Sequence, residues 1–317
     1  MNELSKDSAS RQPIGEDSAG QRIDNYLMRI LKGVPKSHIY RILRSGEVRV
    51  NSGRIGPDYR LQAGDLVRIP PIRTAQKTPV KGPSGAGFKP EILFEDEALL
   101  VINKPAGVAV HGGSGVSFGA IEALRQARPE GRFLELVHRL DRETSGVLML
   151  AKKRAALVEL HRQLQAGETE KRYHALVQGR WTERKRVVEL SLQKYVLSSG
   201  ERRVSVGADG DRAVTVFRLE RRVGPYSLLD AELKTGRTHQ IRVHLAHLGF
   251  PILGDDKYGD FALNKTLAKQ GLKRMFLHAR RAVITHPLSG ERVTLDAPLP
   301  EELQAFTETA TRMKSRG

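Results

Sequence analysis

The sequence contains no cysteine, which excludes disulfide scaffolds, thiol nucleophiles and cysteine-based zinc sites. Aromatic residues make up 5% and tryptophan occurs once, leaving little for stacking on sugars. Apolar residues make up 39%, and no run approaches the roughly 20 apolar residues of a membrane-crossing helix. The first twenty residues, MNELSKDSASRQPIGEDSAG, have neither the apolar core nor the cleavage site of a signal peptide. They read as a flexible tail. A soluble, cytoplasmic protein is the expectation, with no membrane partner and, lacking a coiled coil or long apolar stripe, a monomer.

Positive charge is abundant. Lys and Arg outnumber Asp and Glu by 53 to 36, giving a net charge of +17 and a pI near 10.2. Such an excess favours a polyanionic partner, because each phosphate neutralised releases condensed counterions. A chain of 317 residues also has room for two domains.

After the tail (1–20), Ile23, Tyr26, Leu27, Ile30, Leu31 and Val34 fall on one helical face, predicting a helix over 22–34. Pro35 opens a second helix over 36–45, closed by Gly46. Its apolar face is Ile39, Ile42 and Leu43, while Lys36, Tyr40, Arg41 and Arg44 share another. Glu47 to Asn51, including Arg49, alternates like a strand, and a further short strand lies within Leu61 to Pro70. Residues 21–71 hold ten Lys or Arg against four Asp or Glu, a composition suited to docking on folded RNA and equally to a solvated helix face. Residues 72–90 are rich in Pro, Gly, Lys and Thr and read as a basic linker. From 91 to 317 buried-strand runs at Leu99–Ile102, Val147–Ala151, 173–177 and 226–233, with a helix over 154–166, suggest α+β with a large mixed sheet.

The densest cluster of reactive side chains is His138-Arg139-Leu140-Asp141-Arg142-Glu143-Thr144-Ser145-Gly146. It lies between apolar runs, as a loop on the sheet surface would. Arginines flanking Asp141 would keep its carboxylate ionised at neutral pH, suiting a nucleophile or electrostatic stabiliser and not a general acid. Charge spacing alone leaves a surface ion-pair loop open. Asp141 and Glu143 could share a face as a glycosidase pair does, but nothing else supports sugar hydrolysis, and Glu143 fits better as a loop-orienting residue. A second cluster runs from Lys234 to His244. Read as a strand, it turns Gln240, Arg242 and His244 one way and Ile241 and Val243 into the core. His239, His244 and His247 lack the spacing of a zinc site, so no metal is expected. Gly112-Gly113-Ser114-Gly115 is no dinucleotide fingerprint, since Phe118 stands where its last glycine belongs.

Two resemblances organise these features. The pattern R-I-D-x-x-L (22–27), G-E-V-R-V-N (46–51) and G-D (64–65) resembles the S4 RNA-binding domain, with Ser52 where that pattern usually has glycine. H-R-L-D-R-E-T-S-G (138–146) resembles the catalytic motif of the pseudouridine synthases related to those of the large ribosomal subunit. N-K-P-A-G (103–107), K-R-Y-H-A-L-V (171–177), G-R-T-H-Q-I-R-V-H (236–244) and R-M-F-L-H-A (274–279) continue the pattern. The resemblance spans essentially residues 20–300.

The resemblance implies a large mixed, mainly antiparallel sheet with a central active-site cleft, preceded by a small α/β S4-like domain. It implies Asp141 as the essential carboxylate, Arg242 as its ion-pair partner and Tyr173 against the target base. Leu277 would wall the pocket and Arg139 would enter the RNA stack. Lys36, Tyr40, Arg41, Arg44, Arg49 and Arg237 are the candidate RNA contacts. The implied reaction converts uridine to pseudouridine in large-subunit (23S) ribosomal RNA without a cofactor. The alternatives are a non-catalytic S4-type ribosome assembly factor and a synthase acting on another RNA.

Overall fold

The computed structural model describes residues 8–31, 33–72, 88–112, 118–128 and 133–312. Most of the expected linker (73–87), the start of the expected tail (1–7) and Gly113 to Gly115 lie outside them. The chain divides into two compact units, Met1–Pro83 and Ser84–Gly317.

In the first unit, helices α1 (Ile23–Ile30) and α2 (Lys36–Arg44) accompany strands β1 (Ser10–Pro13), β2 (Arg49–Val50), β3 (Gly53–Arg54) and β4 (Leu66–Ile69). The strands form an antiparallel sheet in the order β1-β4-β2-β3. Ile23, Leu27, Ile39, Ile42 and Leu43 share one core with Val50, Val67 and Ile69, so the apolar stripes seen in the sequence bury the helices against the sheet.

Four expectations are corrected here. Residues 10–13, expected in a flexible tail, pair with β4, and Ile14 enters the core. Ile72, at the expected start of the linker, belongs to the same core. α1 ends at Ile30, four residues early, because Leu31 leaves helical geometry and Gly33 takes a φ of +92°. The strand expected over 47–51 shrinks to Arg49–Val50, since Asn51 and Ser52 adopt φ of +49° and +70° to turn into β3. That left-handed geometry is where glycine is at ease and Ser52 is not.

The second unit is built on one eleven-stranded sheet. Its strands are β5 (Glu91–Glu95), β6 (Leu99–Lys104), β7 (Glu135–Leu136), β8 (Ser145–Ala151), β9 (Glu170–Val177), β10 (Lys185–Val196), β11 (Arg202–Val206), β12 (Asp211–Val223), β13 (Tyr226–Leu233), β14 (Leu277–Thr285) and β15 (Arg292–Asp296). The helices are α3 (Ala120–Ala127), α4 (Arg154–Ala166), α5 (Gln240–His247), α6 (Phe261–Lys269) and α7 (Glu301–Arg312). The main order is β11-β10-β12-β13-β9-β14-β8-β6-β5, with β15 on β14 and β7 on β8. Every pairing is antiparallel except β8 with β14, which touch in parallel only at Ser145–His278 and Gly146–Ala279. Beyond that contact β14 pairs with β15 instead. The loop that precedes β8, residues 138–144, therefore enters the sheet at the short parallel contact of β8 with β14. Phe88, at the expected end of the linker, packs against this unit's core. So does Trp181, which tilts against Phe217 and Phe250 with ring centroids 5.7 and 5.0 Å away. The only tryptophan is thus core, which removes the last support for a sugar-stacking site.

Candidate active site

Asp141 sits in the loop between β7 and β8, closed by a turn in which Thr144 N donates to Asp141 O at 3.1 Å. Two other loops hold it. Arg142 Nε donates to Gly107 O at 2.9 Å, and Gly107 N returns a bond to Arg142 O at 2.9 Å. Lys104, fully buried at the end of β6, donates to Arg142 O (3.1 Å), Pro105 O and Val108 O (both 2.8 Å). Burial, reinforced by the Arg274 charge, pushes its amine down to about 7. On the far side Arg274 Nη2 donates to Ser145 Oγ at 2.8 Å and reaches the carbonyls of Glu143 and Leu277.

The Lys234–His244 segment is corrected. It does not continue as a strand: Arg237 and Thr238 turn, His239 takes a left-handed φ of +53°, and α5 begins at Gln240. Gln240 Oε1 accepts from Thr235 Oγ1 (2.7 Å) and Arg237 N (3.0 Å), which closes this turn. Gln240 through Leu245 are all buried, and a helix buried all round shows no amphipathic stripe. Read without that stripe, the alternation of polar and apolar residues imitated a strand.

From α5, Arg242 Nη1 donates to Asp141 Oδ2 at 3.0 Å. Its Nε and Nη2 grip Asp255 Oδ2 and Oδ1 at 2.8 and 2.7 Å, and its guanidinium carbon lies 5.1 Å from the centre of the Tyr258 ring. Burial opposes the Arg242 charge, but Asp255 and Asp141 outweigh it and hold the guanidinium above its ordinary pKa. Burial alone would raise Asp255, and the Arg242 fork with the backbone N–H groups of Lys257 and Tyr258 holds it below the usual carboxylate range. His239 Nε2 lies 3.8 Å from Asp141 Oδ1, while its Nδ1 is 2.8 Å from the Tyr258 hydroxyl. Among the described residues, the ion-pair partner of Asp141 is therefore Arg242, while His239, whose protonation burial disfavours, lies nearby. Neither flanking arginine serves as expected: Arg142 turns to Gly107 and Glu143, and Arg139 lies exposed at the cleft.

A cleft of about 620 Å³ opens over this pair, lined by Arg139, Asp141, Tyr173, His239, Arg242 and Leu277, a volume in the range of small-molecule sites. Burial and the Asp141 charge both push the Tyr173 hydroxyl up, so it presents a neutral phenol. Arg237 also lines the cleft, while its Nε donates to Arg212 O. The remaining candidate RNA contacts lie in the first unit. Lys36, Arg41 and Arg44 are exposed on α2, Arg49 is exposed on β2, and the half-buried Tyr40 donates its hydroxyl to Asp24 at 3.1 Å. His239, His244 and His247 do not converge into a ligating group among the described residues.

Sequence reasoning missed Asp255, Lys104 and Arg274 as parts of the site. The Gly254-Asp255-Asp256 run was the available signal for the first. Lys104 and Arg274 were visible only as letters within longer motifs.

Known proteins resemble this chain in both units. A family model described as RNA pseudouridylate synthase matches residues 98–247, and the S4 domain model matches residues 21–67. A protein of Pasteurella multocida named ribosomal large subunit pseudouridine synthase C is 54% identical over 306 residues, covering 95% of this chain and 94% of that one. The protein of the same name in Escherichia coli is 53% identical over 297 residues, covering 92% and 93%. Among solved structures, human RNA pseudouridylate synthase domain containing 4 superposes with a TM-score of 0.55 at 26% identity, over 70% of this chain and 92% of that one. The relatives of the same name match this chain over nearly its full length, and the chain belongs to the RNA pseudouridylate synthase family, with an S4 domain at residues 21–67.

Proposed function

We propose that this protein isomerises specific uridines of large-subunit ribosomal RNA to pseudouridine, with Asp141 as the reacting carboxylate. The observation that carries this reading is the Asp141–Arg242 pair, 3.0 Å apart at the cleft, in a chain more than half identical to enzymes named for that substrate. Action on ribosomal RNA places the protein in the cytoplasm, and we take it to act as a monomer.

The reaction breaks the N1–C1′ bond, turns the uracil and joins C5 to C1′. C5 loses its hydrogen as a proton and N1 gains one. The conversion is intramolecular and redox-neutral, so it calls for no cofactor. Two routes fit one carboxylate beside C1′. Asp141 can attack C1′, forming an ester that C5 later displaces, or it can take a proton from C2′ to give a glycal that is reprotonated when C5 adds. In both, the leaving uracil carries the electron pair of the broken bond.

A base within stacked RNA must first flip out, at a cost of a few kcal/mol. Arg139, exposed at the rim of the cleft, would enter the gap, and the Tyr173 ring would stack on the flipped base against Leu277. Arg242, fixed by Asp255, keeps one N–H aimed at Asp141 before the substrate arrives. Such preorganised charge contributes most where water is excluded.

The test uses large-subunit ribosomal RNA tritiated at uridine C5, taken from cells lacking the enzyme, so that its targets are unmodified. Wild type should release tritium and Asp141→Ala should not. No release by folded wild type would sink the reading in favour of an assembly factor or another RNA. Equal release by both would leave the reaction and remove Asp141 from its role.

A further inference from the structure

The sheet of the first unit carries one residue type in a row. Its register pairs Arg11 on β1 with Arg68 on β4, Arg68 with Arg49 on β2, and Arg49 with Arg54 on β3. Residues directly opposite in antiparallel strands project from the same face, so four arginines cross all four strands side by side. With strands about 4.8 Å apart, the row is about 14 Å long. Their chain neighbours Val50 and Val67 are buried in the core, which places the arginines on the opposite face of the sheet.

Like charges directly opposite one another destabilise a sheet, and three such pairs are adjacent here. Among the described residues none of the four has a carboxylate at ion-pair distance. Glu47, which borders the same groove, is held by Ser45 Oγ at 2.7 Å and faces Arg41 at 3.8 Å. Backbone fixes the arginines instead. Arg49 Nε donates to Gly46 O at 3.2 Å and Arg68 Nη1 to Glu47 O at 2.7 Å. Arg54 lies over Gly46 so closely that a Cβ there would come within 2.7 Å of its Nε. The Arg49 and Arg68 guanidinium groups are thus positioned with N–H donors to spare. Arg11, Arg49 and Arg68 border a groove of about 750 Å³, shared with Ser45, Asn51 and Ser52, and Arg54 extends the row beside Arg49.

We infer that this arginine row docks phosphate groups of the RNA, on a surface distinct from the α2 face that carries Lys36, Tyr40, Arg41 and Arg44. The inference rests on the proposed RNA substrate. Fixed guanidinium forks bind phosphate bidentately, and a concave groove seats a ridge such as a sugar–phosphate backbone better than a flat lipid surface. The repulsion that the folded protein carries across β1, β4, β2 and β3 is relieved when phosphates lie along the row.

The full-length variant R11Q/R54Q removes two of the charges and spares Arg49 and Arg68, whose backbone bonds hold the turn after α2. Its affinity for unmodified large-subunit ribosomal RNA at about 0.15 M salt should fall about 10- to 30-fold, and the slope of log affinity against log salt should shrink by about 1.5 to 2. The kcat at saturating RNA should be unchanged while KM rises. Without RNA the variant should melt no lower than wild type, since like-charge pairs have been removed. R11K/R54K should restore the slope. Unchanged affinity and slope in R11Q/R54Q would overturn the proposal. So would intact RNA binding alongside lost binding to phosphatidylglycerol vesicles. Affinity is read without turnover, so a wild type that binds RNA but releases no tritium would sink the proposed reaction and leave the arginine row standing.

Discussion

Arg242 reaches Asp141 through the one terminal nitrogen that Asp255 leaves free: Nη1 lies 3.0 Å from Asp141 Oδ2, while Nε and Nη2 are both committed to the fully buried Asp255. The arginine is therefore clamped from behind and offered in front. Its approach to Asp141 does not depend on substrate.

Truncating this arginine should consequently do more than slow the reaction. Arg242→Met leaves Asp255 charged, buried and without its cation, a situation that costs about 3–5 kcal/mol. Adding Asp255→Asn to Arg242→Met should return part of that stability and none of the tritium release. Urea unfolding of the two single variants and the double variant measures the coupling. Single variants as stable as wild type would show that the clamp does not hold the site together.

Gly146 should not tolerate a side chain. Its φ is +110°, and an added Cβ would lie 2.2 Å from Ala279 O, at the short parallel contact of β8 with β14. Either the backbone flips or the strands separate, and the Asp141 loop enters β8 at this point. Gly146→Ala is expected to cost about 2–5 kcal/mol and most of the turnover. A variant with wild-type midpoint and rate would mean the strands have slack that the close approach denies.

Part of this architecture was legible in the sequence, and the reasons differ element by element. The helix at Arg154–Ala166 and the strand at Tyr226–Leu233 fall where their apolar patterns put them, because each has an unambiguous period and clear ends. β1 was invisible: Ser-Arg-Gln-Pro has no strand pattern, and only pairing with β4 makes it a strand. α5 was misread because burial on all sides erases the stripe that distinguishes helix from strand. Asp141, Tyr173, Arg242 and Leu277 do meet in one cleft, but Asp255 acquires its importance from a contact 13 residues away, which no local pattern encodes.

Lys104 holds the reactive loop through backbone alone. All three of its amine hydrogens have carbonyl partners, one of them on Arg142 next to Asp141. Lys104→Met matches the shape and takes one donor from each of those carbonyls, leaving the Arg142 carbonyl only Gly107 N, at an expected cost of about 1–3 kcal/mol. Because the loop moves rather than the RNA surface, kcat should fall while KM for RNA stays near wild type. A raised KM with unchanged kcat would assign Lys104 to binding instead.

His244 gives the protein a defined weakness in acid. It is fully buried, neither ring nitrogen has a hydrogen-bond partner among the described residues, and burial, aided by His247, pushes it down to about 4. An unfolded histidine titrates near 6.5. Between pH 6.5 and 4 the unfolded chain therefore takes up a proton that the folded chain refuses, so stability is lost as pH falls through that window. His244→Leu removes the titration without stranding any partner. At pH 7 the variant should lie within about 1 kcal/mol of wild type, and at pH 5 it should have gained about 2 kcal/mol relative to that difference. His278 is the control: burial pushes it to about 4 as well, but its ring keeps Ser145 Oγ at 2.9 Å and Ala297 O at 3.1 Å. His278→Leu should therefore destabilise at pH 7, where removing the titration returns nothing. Urea midpoints of both variants at pH 7 and pH 5 decide the matter, and a His244→Leu advantage that does not grow in acid would mean the folded protein accommodates the proton after all.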